Sequence, residues 1–143
     1  SAQSQSVLGR LFQERRVCKE YTAVVYGRLA SDSGEIDLPI ARDWENRPRQ
    51  KICRDTGRHA LTHYTVTGRD KDRTRLLLEP VTGRSHQLRI HTASLGHPIL
   101  GCDMYAHAEA LAMAPRLLLH ASRIAFPHPR TEEWMDFSCP PPF

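Results

Sequence analysis

The sequence predicts an α+β fold, a mixed or antiparallel sheet with flanking helices. Three observations lead there. Several segments alternate apolar and polar residues and are rich in Val, Tyr and Leu, as strands are. Most of these segments are joined by short turns. Helical periodicity is confined to a few stretches grouped around them.

Taken in order, Ala2–Arg16 places Val7, Leu8, Leu11 and Phe12 at helical spacing, with Arg10, Glu14 and Arg15 elsewhere, and predicts an amphipathic helix. A helix at the very start has nothing before it to pack on, so an N-terminally truncated domain is expected. Lys19–Leu29 predicts a strand, Ser31–Gly34 a turn and Ile36–Ile40 a short second strand. Arg42–Arg58 is a proline-broken basic stretch. Leu61–Thr67 and Arg75–Glu79 predict strands around a charged turn at Asp70–Asp72, the second strand ending at Pro80. Ser85–Leu95 predicts a helix opened by Gly83 and stopped by Gly96 and Pro98. Ala106–Met113 predicts a short helix. Leu117–Phe126 and Trp134–Ser138 predict closing strands around the turn Pro127–Arg130.

The chain of 143 residues suits a single domain with a real core, and 40% hydrophobic residues exclude a disordered class. Lys and Arg outnumber Asp and Glu by 20 to 16, a balance that suits an anionic partner such as RNA. Arginine dominates the cations, and its planar fork matches phosphates and base edges. Cys18, Cys53, Cys102 and Cys139 form no C-x-x-C pair, so neither a zinc ribbon nor a disulfide framework is indicated. Reduced thiols in a cytoplasmic compartment are the simpler expectation. No apolar run reaches membrane-spanning length, and the polar opening Ser1–Ser6 lacks the apolar stretch of a signal peptide.

The densest chemistry lies in Thr82-Gly-Arg-Ser-His-Gln-Leu-Arg-Ile-His91. On a helix Arg89 follows Ser85 by four residues and His86 by three, so they can share a face. The helix start offers free N–H groups to an anion. Two arginines, two histidines and a glutamine are costly to bury without partners, so they should face a cleft or paired charges. A solvated polar helix face is the plainer alternative.

Arg84-Ser-His-Gln-Leu-Arg-Ile-His91, followed by Gly96-His-Pro-Ile-Leu-Gly101, resembles the signature of the RluA family of pseudouridine synthases. Lys19-Glu-Tyr21 resembles the family's K-x-Y strand, and Arg116-Leu-Leu-Leu-His-Ala121 resembles its late apolar motif. Asp43-Trp-Glu-Asn-Arg-Pro-Arg-Gln-Lys51 and Ala112-Met-Ala-Pro-Arg-Leu-Leu-Leu-His-Ala121 resemble the family's dual-specificity branch. The likeness runs from about Gln3 to Phe143.

The resemblance implies an isomerase that converts uridine to pseudouridine in ribosomal or transfer RNA stem-loops, as a monomer and without a cofactor. It gives Arg89 the role of orienting a catalytic aspartate. Tyr21 stacks on uracil, and Leu118 or Leu119 forms an apolar wall. Arg84, His86 and Gln87 contact substrate. Apart from the resemblance, the basic stretch is the candidate for phosphate contacts to RNA, with Arg47, Arg49 and Lys51 as cations and Trp44 as a stacking ring. Trp44 buried in the core, and Tyr21 and Leu117–Leu119 as ordinary packing residues, are the plainer alternatives.

The family's His-Arg-Leu-Asp, which carries its aspartate, does not occur in this sequence, and none of the eight aspartates has that context. The chain alone is therefore expected to be inactive. Gly101-Cys102-Asp103 also departs from the family's Gly-Asp. Cys102 reads as a small buried hydrophobe, and His120 as a buried, hydrogen-bonded histidine. A non-catalytic RNA-binding module is the alternative function. A metal-dependent hydrolase using His86, His91 and His120 is disfavoured, because five residues set the first two about 140° apart on a helix.

Overall fold

A computed structural model describes residues 16–143. The helix expected over Ala2–Arg16 falls almost wholly on residues 1–15, outside that range. The described residues form β1 (Cys18–Tyr26), β2 (Ser33–Asp37), β3 (Ile40–Arg42), β4 (Gln50–Ile52), β5 (Leu61–Arg69), β6 (Arg73–Pro80), α1 (Gln87–Ser94), α2 (Ala108–Ala112), β7 (Leu119–Pro127) and β8 (Trp134–Ser138). Six strands make one sheet in the order β2-β5-β6-β1-β7-β8, and β3 and β4 pair as a separate ribbon. Every pairing between these strands is antiparallel, which resolves the mixed-or-antiparallel expectation.

Alternation along β1 sends its side chains to two cores. Ala23 and Val25 join Leu76, Leu78, Tyr64, Leu88 and Ile99 on one face, where α1 packs. Val24 points to the other face, against Leu100 and Ala110. The strand stops at Gly27, whose φ of 78° turns the chain, three residues short of the expected Leu29. The strand expected over Ile36–Ile40 is two strands. Ile36 belongs to β2 in the large sheet, whereas Ile40 opens the ribbon and packs with Ala60 and Ile90. The short Leu38-Pro39 link lets the chain leave one sheet for the other.

The expected helix Ser85–Leu95 begins two residues late, at Gln87, because His86 adopts a left-handed conformation with φ 56°. Ser85 therefore does not share a helix face with Arg89. Between α1 and β7, Ile99 bridges to Val25 where β7 has left β1, and Gly101 (φ 73°) passes close against the backbone of Arg116.

Candidate active site

Gln87 builds the turn that opens the site. Its side-chain oxygen accepts from the Thr82 hydroxyl at 2.7 Å and from the Arg84 amide at 3.0 Å. Its amino group donates to the Leu61 carbonyl and the Thr62 hydroxyl, both at 3.0 Å. All four positions of the amide are thus occupied by protein, and the residue is buried. Gln87 thereby holds Thr82–Arg84 in place.

His91, one turn later, continues that network. Its Nε2–H donates to the Leu38 carbonyl at 2.9 Å, and its Nδ1 accepts from Thr62 at 2.8 Å. Burial pushes its pKa below the usual histidine value. His120 is half-buried on β7 and bonds Ser122 at 3.0 Å, less enclosed than expected. His86, His91 and His120 are therefore each bonded to different protein groups and do not converge on one metal.

Arg84, His86, Gln87 and Arg89 line a cavity of about 350 Å³ between the turn and the sheet, while His91 turns into the core. Lys19 and Tyr21 of β1 and Leu119 of β7 form its floor. Tyr21 sits beside a bulge between Glu20 and Tyr21, with Leu78 and Ala121 as its cross-strand neighbours. Leu118 does not join Leu119 there. It is the next residue along, points to the opposite face, and packs with Val24, Leu100 and Ala110.

Arg89 is half-buried and has no ion-pair partner among the described residues. A guanidinium partly removed from water without a counter-charge favours an incoming anion. Its neighbour His86 is held below the usual histidine pKa, first by burial and then by the charge of Arg89, against a smaller opposing pull from Asp103. His86 is thus neutral at pH 7, and its Nδ1 lies 2.7 Å from the Tyr105 hydroxyl. That hydroxyl also accepts the Gln50 amide of β4 at 2.9 Å, and Arg49 lies over the Tyr105 ring at 5.2 Å. Tyr105 was not singled out in the sequence. It lies 19 residues beyond His86, and no spacing relates the two.

The basic stretch lies outside this cavity and lines a neighbouring groove with Gly83 and Arg84. Trp44 is 61% exposed, which excludes the core alternative, and Arg42 and Arg47 lie 4.7 and 5.6 Å from its ring centre. Both guanidiniums are at cation–π distance. Cys102 is buried as expected, and Asp103 beside it is exposed.

The cavity therefore offers a cation for an anion, a tyrosine ring for a planar group and a leucine wall. The sequence profile of the RNA pseudouridylate synthase family matches residues 1–94. The chain belongs to that family. It is 56% identical over 137 residues to the dual-specificity RNA pseudouridine synthase RluA of Pasteurella multocida, covering 95% of this chain and 63% of that protein. It is 50% identical over 137 residues to the protein of the same name in Escherichia coli K12, again covering 95% and 63%. The chain thus spans under two thirds of the length of these relatives. Among solved structures, human RNA pseudouridylate synthase domain containing 1 superposes with a TM-score of 0.84 at 32% identity, covering 96% of this chain and 60% of the other. Human RNA pseudouridylate synthase domain containing 4, at 24% identity and a TM-score of 0.74, shares the fold. Among the described residues no helix is long and apolar enough to cross a membrane.

Proposed function

We propose that the intact protein is an RNA pseudouridine synthase, and that the cavity between α1 and β1 receives a uridine extruded from an RNA stem-loop. The observation that carries this is Arg89, half-buried without an ion-pair partner among the described residues, beside Tyr21 and Leu119 in a cavity sized for one base. Isomerisation breaks the bond from ribose C1′ to uracil N1, turns the base, joins C1′ to C5 and releases the C5 proton, while N1 gains a proton, so the formula is unchanged. A carboxylate must act at the ribose, and Arg89 would keep it ionised and aimed. Tyr21 would stack on the base, and Leu119 would close the apolar side. Arg84 and His86 would meet the polar edge, while Arg47, Arg49 and Lys51 would contact the RNA backbone and Trp44 would offer a stacking ring.

A base must leave its stack to reach such a site, and the cost is least in loops. Ribosomal and transfer RNA stem-loops are accordingly the proposed substrates of a cytoplasmic, monomeric enzyme. Because the sequence lacks His-Arg-Leu-Asp, the carboxylate would come from outside these 143 residues. The test is tritium release from RNA containing 5-tritiated uridine. The chain alone should release none. Joined to a segment carrying His-Arg-Leu-Asp it should release tritium, and Arg89→Ala should then remove most of that activity. Near-normal turnover in the Arg89→Ala protein would overturn the role of Arg89. Release by the chain alone would move the catalytic carboxylate to one of its own aspartates. Stem-loop binding with no release even by the extended protein would favour a non-catalytic RNA-binding module.

A further inference from the structure

A second groove opens on the far side of the Gly83–Arg84 backbone. It has a volume of about 660 Å³ and lies between that turn and the β3–β4 ribbon. Arg42, Lys51, Arg58 and Arg84 line it together with Trp44, and no acidic side chain does among the described residues. Gly83 and Arg84 also line the smaller cavity that holds Tyr21 and Arg89, so the two spaces share one wall. We propose that this groove is a subsite for one nucleotide flanking the target uridine. Its phosphate would be held by the arginines and its base stacked at Trp44. The assignment rests on the proposed RNA substrate.

Five features support it. An extruded uridine abandons its stacking on both neighbours, so a flanking base gains from a replacement surface. An exposed aromatic ring among cations is the composition that binds single-stranded nucleic acid without reading base edges. The ring of Trp44 is exposed and already carries the guanidiniums of Arg42 and Arg47, which can extend the stack or turn to a phosphate. The ribbon is anchored to the site wall: the Tyr105 hydroxyl takes the Gln50 amide at 2.9 Å and touches His86 at 2.7 Å. The groove therefore exists before RNA arrives. Arg84 is anchored as well. Its Nε donates to the His59 carbonyl at 2.8 Å, while its terminal nitrogens make no hydrogen bond among the described residues. Placed in the shared wall, they are positioned for the phosphate that joins target and neighbour.

The experiment uses fluorescently labelled RNA stem-loops with a single loop uridine, and a set in which each other loop nucleotide in turn is abasic. Binding is measured by anisotropy for the chain and for Trp44→Ala and Trp44→Phe. Trp44 is exposed, so neither change threatens the fold. One abasic position beside the uridine should weaken binding by the chain and by Trp44→Phe about ten-fold, and should have no further effect on Trp44→Ala. If RNA binds but every abasic change acts equally on the chain and on Trp44→Ala, the subsite is wrong and the RNA substrate stands. Failure of the chain to bind any stem-loop overturns both.

Discussion

His91 is wholly buried, with both ring nitrogens committed, one donating to Leu38 and one accepting from Thr62. Burial disfavours the charged ring, so its folded-state pKa lies below the unfolded value of about 6.5. The sign follows from that depression: below about pH 6.5 the unfolded chain binds more protons than the folded one, so stability is full above that pH and falls as pH drops towards the folded pKa. His86, depressed by burial and Arg89, acts in the same direction. The urea midpoint should fall between pH 7 and pH 5, and His91→Gln should flatten the slope. Nitrogen NMR of the ring should show Nε2 protonated and Nδ1 bare at pH 7. An imidazolium there at pH 6 would contradict the network. The sequence grouped Arg84, His86, Gln87, Arg89 and His91 as one chemical cluster. It could not single out His91, which turns into the core, from the four that line the cavity, because the left-handed His86 delays the helix and rotates the register of faces.

Among the elements, β6 is central to the site as well as to the sheet. Leu78 is fully buried and is the cross-strand partner of Tyr21 on one side and Tyr64 on the other. Leu78→Ala should cost about 2–5 kcal/mol in urea denaturation, because the strands flanking it cannot close the cavity left behind. The connection after α1 is equally constrained. Gly101 has a positive φ, and a side chain there would run into the carbonyl of Arg116. Gly101→Ala should therefore destabilise more than the roughly 1 kcal/mol of an ordinary Gly→Ala conflict, read as a lowered thermal midpoint. The strands themselves were legible from alternation, and their ends were less so. Gly27 and the Leu38-Pro39 link cut runs of apolar residues that local pattern alone joins into single strands.

For the whole molecule, charge is distributed unevenly, and this bears on RNA binding more than the modest net charge of +4 does. The groove beside the site gathers four cations and no acid among its described lining. Arg123 on β7 does not line that groove and is tied by Asp136 at 2.8 Å and by Glu20 at 3.4 Å. Stem-loop binding should therefore weaken with salt, with a log–log slope on the order of −3 if all four groove cations neutralise single-strand phosphates. Arg58→Ala should reduce that slope by about 0.7, whereas Arg123→Ala should leave it unchanged. Equal effects from both would show that binding follows net charge and not this groove.

By itself the sequence determined the α+β class, the order of most strands and the family, because apolar alternation and long motifs are properties of local chain. It also collected the cavity residues Tyr21, Arg84, His86, Arg89 and Leu119 into three quotable segments. Only the tertiary structure decided that Leu118 faces away, that Gln87 is fully spent on the turn, that Trp44 is exposed, and that Tyr105 ties the basic ribbon to His86. Each of those outcomes depends on which residues from distant parts of the chain meet. One residue's shift in strand phase, or one left-handed φ at a helix start, redirects every side chain that follows.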